Sequence, residues 1–403
     1  MKNGAAGSIL VGFMAHFESI RSLTTQRLLH ARNARVCALL LTLALSISQA
    51  PFARAEEDDA LGKLQFHGYG EFHYNNPKLD TMSSGAGNVI DAHRFVLGWE
   101  YEFTENLRVE AELDYEHAAK ELELEEAYLE YDLLPALSLR VGTLLMPVGP
   151  LNETHEPPLY YSVERPYVER YIIPTTWQEN GLGVAGQLRE GKVSYRAYLT
   201  AGLDAARMTS LGGLHDVSSK GSESKADDLA GAGRVEFLPA RGFTIAGSGY
   251  YGGADQRTPG LGKVTLAIQE VDARFRRYGL DLRFAGVQVS LDRADRVSAL
   301  VGDTIGRVML GAYVEAAYDV LRRDRAEEGG RSLVFFVRRE GFDTNFEVPA
   351  GFPRNLAADR RVTTGGMAYY PIERVAFKTD YEHWKDGSGA KLNRVNLGAA
   401  FMF

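Results

Sequence analysis

Arg394-Val-Asn-Leu-Gly-Ala-Ala-Phe-Met-Phe403 ends the chain, and its pattern decides the fold. Val395, Leu397, Ala399, Phe401 and Phe403 are apolar at every second position. Asn396, Gly398, Ala400 and Met402 between them are mostly small or polar. A period of two marks a strand with two different faces.

The same alternation recurs upstream. Leu64, Phe66, Gly68, Gly70, Phe72 and Tyr74 share one face, and Gln65, His67, Tyr69, Glu71 and His73 share the other. Phe95, Leu97, Trp99, Tyr101 and Phe103 alternate with Arg94, Gly98, Glu100 and Glu102. After the Thr104-Glu105-Asn106 turn, Leu107, Val109, Ala111, Leu113 and Tyr115 alternate with Arg108, Glu110, Glu112, Asp114 and Glu116. These two segments predict a hairpin with one apolar and one charged face. Strands of about 9 to 11 residues match a tilted membrane crossing, whereas soluble strands average about 5 or 6.

Short turns, as at Leu134-Pro135-Ala136, Glu190-Gly191, Tyr278-Gly279 and Pro371-Ile-Glu373, alternate with long polar segments. The long segments are 75–89, 150–178, 203–226, 252–262, 291–304, 341–358 and 385–393. Short turns at one end and long loops at the other predict an all-β, transmembrane antiparallel β-barrel of about 16 strands with a water-filled lumen. Tyr101, Phe103, Tyr131, Phe237, Tyr369 and Tyr370 near strand ends suit interfacial girdles.

The amino-terminus agrees. Arg32 and Arg35 precede the apolar run 36–47, and Ala53-Arg-Ala55 precedes Glu56. This predicts a removed signal peptide, 1–55, before a barrel, 56–403. The single cysteine, Cys37, lies in the removed segment. The net charge of the whole chain is −8, with 45 Lys and Arg against 53 Asp and Glu. Residues 1–55 carry six basic residues and one acidic residue, so the mature chain is more acidic still. That excludes nucleic acid as an expected partner.

Leu64 to Asn76, Asp91-Ala-His-Arg-Phe-Val96, Glu125-Glu-Ala-Tyr-Leu-Glu130, Met146-Pro-Val-Gly149, Asn152-Glu-Thr-His-Glu-Pro-Pro158, Val163-Glu-Arg165 and Ile172-Ile-Pro-Thr-Thr-Trp177 carry a family likeness. Across them the chain resembles the phosphate-selective O/P-like superfamily of bacterial outer-membrane porins. The resemblance implies a 16-stranded barrel, a homotrimer in outer-membrane lipid, and passive diffusion of small solutes or ions. The superfamily's name implies anions, yet no ladder of closely spaced lysines or arginines marks one strand face. The closing strand also looks like those whose terminal aromatic, here Phe403, is read by the barrel-insertion machinery.

Loop 146–178 is long enough to need a reason. As an inward-folded constriction it would set the field of the passage through Asn152, Glu153, His155, Glu156, Glu164, Arg165 and Arg170. The alternative is a surface cap or a latch between subunits. Glu110, Glu112, Asp114 and Glu116, with Arg94, Arg108 and Arg140, form a second candidate wall. It would either favour cations or consist of mutually neutralising ion pairs. Arg196, Arg234, Arg274 and Arg283 would face it as a basic wall. His67, His73, His93, His117, His155 and His383 match no compact ligand spacing, so no metal or other cofactor is expected. No Ser-His or Asp-His set and no G-x-S-x-G stands out, so no catalytic activity is expected. The functional alternatives are a substrate-specific channel for an anion or organic acid and a closed structural or adhesive barrel.

Overall fold

The computed structural model describes residues 63–79, 87–321 and 330–403, with the side chains of 77–79 left aside. The expected signal peptide lies outside the described residues. The strands run in chain order as β1 (Leu64–Leu79), β2 (Val89–Thr104), β3 (Leu107–Glu116), β4 (Glu121–Leu134), β5 (Leu137–Leu145), β6 (Gln178–Leu188), β7 (Val193–Ala201) and β8 (Leu229–Ala240). They continue as β9 (Phe243–Gly253), β10 (Thr265–Arg277), β11 (Leu280–Leu291), β12 (Val308–Asp319), β13 (Ser332–Glu347), β14 (Asp359–Ile372), β15 (Val375–Asp386) and β16 (Lys391–Met402). Each pairs antiparallel with its chain neighbours, and β1 pairs with β16 to close the barrel. Closure leaves no unpaired edge, which a spanning sheet requires.

The faces follow the period-two reading. Phe66, Phe72, Phe95, Val271, Phe377 and Leu397 point out and are exposed, while Tyr69, Glu71, Arg94, Asp380 and Asn396 point in and are buried. An apolar exterior this extensive needs lipid rather than water against it. The terminal aromatics have prepared seats. A Cβ on Gly68 would meet Phe403 Cζ at 2.9 Å, and one on Gly70 would meet Phe401 Cζ at 2.7 Å. Gly68 N also donates to Phe403 O at 3.2 Å, and Phe403 N returns a bond to Gly68 O at 2.9 Å. Two strand glycines therefore make room for the rings that cover the closing seam.

Some boundaries differ from the sequence reading. β1 runs to Leu79 and β13 to Glu347, so the loops expected at 75–89 and 341–358 begin later. The β3–β4 connection is only 117–120, although it lies at the long-loop end. Tyr370 does not join an interfacial girdle. It is buried on the inner face and its hydroxyl donates to Pro158 O at 3.2 Å.

The interior is layered. At the long-loop end of β8–β15, inward residues such as Ile268, Val289, Met309, Phe342, Val362 and Trp384 are apolar and buried. They pack with Met146, Val148, Ile172, Ile173 and Trp177 from the β5–β6 loop and with Leu203, Met208 and Leu214 from the β7–β8 connection. A hydrophobic core thus fills part of the lumen that a simple alternation would leave wet. Toward the short-turn end the inner face of β8–β16 becomes charged, with Arg234, Asp272, Asp281, Glu315, Arg338, Lys378 and Asp380.

Candidate functional site in the barrel lumen

Loop 146–177 turns into the barrel and is bonded to the wall along its length. Its base is closed by Asn152, which is fully buried. The Asn152 amide donates to Met146 O and Trp177 O, each at 2.8 Å, and its Oδ1 accepts from Trp177 N at 2.8 Å. Further along, Lys378 Nζ donates to Pro157 O at 2.5 Å and Ser162 O at 3.0 Å. Val163 N donates to Asp380 at 2.6 Å, and Tyr161 donates to Asp281 at 2.7 Å. Tyr167 N donates to Glu340 at 2.5 Å and the Tyr167 hydroxyl to Glu382 at 3.0 Å. The loop therefore lines the lumen instead of capping the surface.

Asn152→Ala leaves Trp177 N without its acceptor and removes one of two donors from each of Met146 O and Trp177 O, which keep Val148 N and Met146 N. The expected loss is about 1–3 kcal/mol in loop docking. Limited proteolysis of the refolded protein checks this: cleavage within 146–177 should appear in the variant and not in the parent.

The other loop candidates are spread around the lumen. Glu153 pairs with Arg196 at 2.8 Å. Burial raises the Glu153 carboxyl pKa against the pull of Arg196. Glu156 is also raised by burial, and one of its oxygens has no hydrogen-bond partner among the described residues. Glu164 goes the other way. Burial opposes its charge, but the hydrogen bond and charge of His73, with Arg394, hold it well below the usual carboxylate range. Arg165 donates to Thr176 at 3.0 Å, and Arg170 to His215 at 3.0 Å.

His155 meets the wall at a buried knot. Its Nε2 contacts Glu125 and lies 2.8 Å from the Tyr69 hydroxyl, while its Nδ1 is 2.9 Å from Asn152 O. Arg94 completes the knot, reaching Asp114 at 2.8 Å and Glu125 at 3.0 Å. Two cavities lie on either side. The one toward the long loops is lined by Glu71, Asp114, Glu116, Glu121, Glu123, Glu125, Glu164 and Asp216 against Arg94, Arg165, Arg170 and Lys220. The one toward the short turns is lined by Glu110, Glu112, Glu126, Glu153 and Glu156 against Arg140 and Arg196. Both walls carry about twice as many carboxylates as permanent cations, with histidines interleaved.

Much of the expected wall charge is paired. Arg108 bonds Asp132 at 2.9 Å and also Glu130, and Arg140 bonds Glu130 at 2.6 Å. Glu112 is 2.8 Å from His67 Nε2, and Glu110 accepts from Tyr128 at 2.6 Å. The basic side is matched as well. Arg234 bonds Asp272 at 2.7 Å, Arg274 bonds Asp281 at 2.6 Å, and Arg283 lies 3.2 Å from Asp281. The expected field from an arginine wall is thereby reduced, and the surplus charge sits on the β1–β4 side.

The sequence reading did not place Glu125, quoted only within a family motif, or Tyr167, Arg338, Glu340, Lys378, Asp380 and Glu382 among the candidates for the passage. A signal was present: Arg338 and Glu340, and Lys378, Asp380 and Glu382, recur with period two inside apolar strands. Nor did histidine spacing suggest that Asp91, His93 and His117 meet, yet their ligand atoms lie within 4.8 Å of one another.

No family model matches the chain. A protein of Aquifex aeolicus (strain VF5), described only as uncharacterized, is 35% identical over 352 residues, spanning 82% of this chain and 78% of that protein. Among solved structures, the outer membrane channel DcaP of Acinetobacter baumannii aligns with a TM-score of 0.55 and 11% identity over 84% of this chain and 97% of that one. The anion-selective porin of Comamonas acidovorans aligns at 0.53 and 11%, over 84% and 99%. A trimer form of the Vibrio cholerae outer membrane protein OmpT aligns at 0.51 and 11%, over 84% and 99%. At such identities the likeness is one of fold.

Proposed function

We infer that this chain, which belongs to the same family as the Aquifex aeolicus protein, is an outer-membrane porin passing small hydrophilic solutes or ions down their gradients. The observation that carries this reading is the pair of acidic cavities along β1–β4, inside a closed barrel with an apolar exterior. The Arg94–Glu125–His155–Tyr69 knot between them is the constriction, and the docked loop sets its shape. Rings of one charge in a narrow, low-dielectric passage select by sign, and here the sign favours cations. Passage involves no covalent chemistry.

The finer assignments belong to the same reading. The chain is exported by its amino-terminal signal, inserted with Phe403 as part of the insertion signal, and assembled as a homotrimer. The OmpT trimer form supports that assembly by analogy of fold. Phosphate-type anion selectivity is the competing assignment. It is supported by the resemblance of the loop motifs and by the anion-selective porin among the structural neighbours.

A planar bilayer decides among them. The purified protein should insert in steps of three conducting units, and a KCl gradient should give a cation-selective reversal potential. An anion-selective potential with current blocked by added phosphate would overturn the acidic-passage reading. Absence of conductance in well-inserted protein would leave a closed structural barrel instead.

A further inference from the structure

We propose that Asp91, His93 and His117 form a binding site for a divalent transition-metal ion such as zinc at the long-loop mouth of the barrel. The set is built by two departures from regular strand structure. First, the β1–β2 register shifts so that Glu71 faces Arg94 while Phe72 faces Ala92, which leaves His93 as the extra residue of a bulge. Strict alternation from Arg94 would send His93 outward to lipid. Instead its ring stacks on the inward ring of His73, with centroids 4.5 Å apart and an interplanar angle of 19°. The same shift brings Asp91 inside. A bulge re-aims a side chain in this way where a regular strand cannot.

Second, the β3–β4 turn holds His117, Ala118 and Ala119 all at positive φ. His117 N bonds to His93 O at 2.9 Å and Ala118 N to Ala92 O at 3.0 Å, so the turn is strapped to β2 beside the bulge. The His117 ring then meets the His93 ring edge-on at 5.3 Å. Asp91 Oδ2 sits between them, 2.6 Å from His117 Nδ1 and 3.3 Å from His93 Nδ1.

Two imidazoles and one carboxylate suit borderline cations such as zinc, copper or nickel rather than magnesium or calcium, which prefer oxygen alone. Zinc needs ligands about 2.0–2.2 Å away, and modest side-chain rotation closes this set to that size. Three protein ligands leave a position open to water, so the ion would exchange. A second layer is already present. His73, stacked on His93, is held by Glu71 at 2.8 Å and lies 3.6 Å from Glu164. Stacking on this held ring fixes the plane of the His93 imidazole. The half-exposed position of His117 gives access from the mouth. Glu116, Glu121 and Glu123 lie on the wall of the same cavity and raise the local cation concentration.

The site does not depend on the pore reading, since binding is measurable without conduction. Refolded full-length protein in detergent micelles would compete with a chromophoric chelator for zinc. One zinc ion per chain is expected, and His117→Ala should weaken it by more than the about 10- to 100-fold that loss of an outer partner costs. Asp91→Asn should do the same. Gel mobility before and after heating reports whether each variant still forms the barrel. Equal zinc binding by parent and His117→Ala would overturn the site. Loss of binding in Glu121→Gln/Glu123→Gln, with none in His117→Ala, would overturn it in favour of the neighbouring acidic cluster.

Discussion

Arg338→Ala should release the inner loop, destabilise the barrel interior and raise single-channel conductance. Arg338 is fully buried on β13 and bonds both the loop and neighbouring wall carboxylates. Nε bonds Glu340 at 3.1 Å. Nη1 bonds Ser162 at 2.6 Å and Glu315 at 3.2 Å, and Nη2 reaches Glu164 O at 3.4 Å. Glu340 in turn holds the start of the helical turn Val168–Tyr171, through Tyr167 N and Val168 N. Truncating the arginine leaves Glu340 buried without its counter-charge and Glu315 with only Arg283, 3.7 Å away. Breaking a buried pair from one side costs about 3–5 kcal/mol, more than the pair itself contributes.

The loss should appear as a lower melting midpoint of the folded barrel and as larger, noisier unitary currents. Arg338→Lys keeps the charge but not the forked geometry, so it should fall between the two. Currents and melting indistinguishable from the parent would show that the loop is held without this residue.

What the sequence disclosed and what it concealed have separate physical causes. Strand faces are local: Phe66 and Glu71 differ in parity, and parity alone sends one to lipid and the other to the lumen. The closing strand was legible for the same reason. Charge pairing was not, because it depends on cross-strand register. Arg94 sits opposite Glu116 on β3, yet its best partners are Asp114 and Glu125, the latter a strand further on. The His93 bulge was hidden because one inserted residue breaks parity without changing composition.

The long segment 203–226 looked like a polar surface loop. Of its large apolar residues, Leu203, Met208 and Leu214 turn inward to cover the β5–β6 loop, while Leu211 stays exposed. Loop 146–178 was recognised by its length. Its lumenal course was one of two expectations. What decides that course is a set of wall residues more than 100 positions away in the chain, including Asp281, Arg338, Lys378 and Asp380.

Raising the pH through about 8 should loosen the docked loop, and Glu169→Gln should remove that dependence. Glu169 lies in the helical turn Val168–Tyr171 with no exposed surface. Its Oε1 accepts from the Tyr313 hydroxyl at 3.1 Å, and its Oε2 has no hydrogen-bond partner among the described residues. Gly149, at φ +81°, gives it room, since a Cβ there would come within 2.9 Å of Oε2. Burial drives the carboxyl up, the Tyr313 bond opposes this only in part, and the result is a pKa pushed to about 8 from an ordinary 4.5.

A docked loop with a raised carboxyl binds a proton that a released loop gives up between those two values. Docking is therefore fully favoured below the ordinary value, weakens as pH climbs, and loses this contribution above the raised one. The span corresponds to several kcal/mol, on the order of 1.4 for each pH unit. Bilayer recordings from about pH 6 to about pH 9 should show opening events and current noise growing up to about pH 8 and levelling off above it. Glu169→Gln, a neutral isostere of the protonated form, should stay quiet across the range. A parent whose noise falls with rising pH, or a variant that keeps the parent's profile, would place the proton elsewhere.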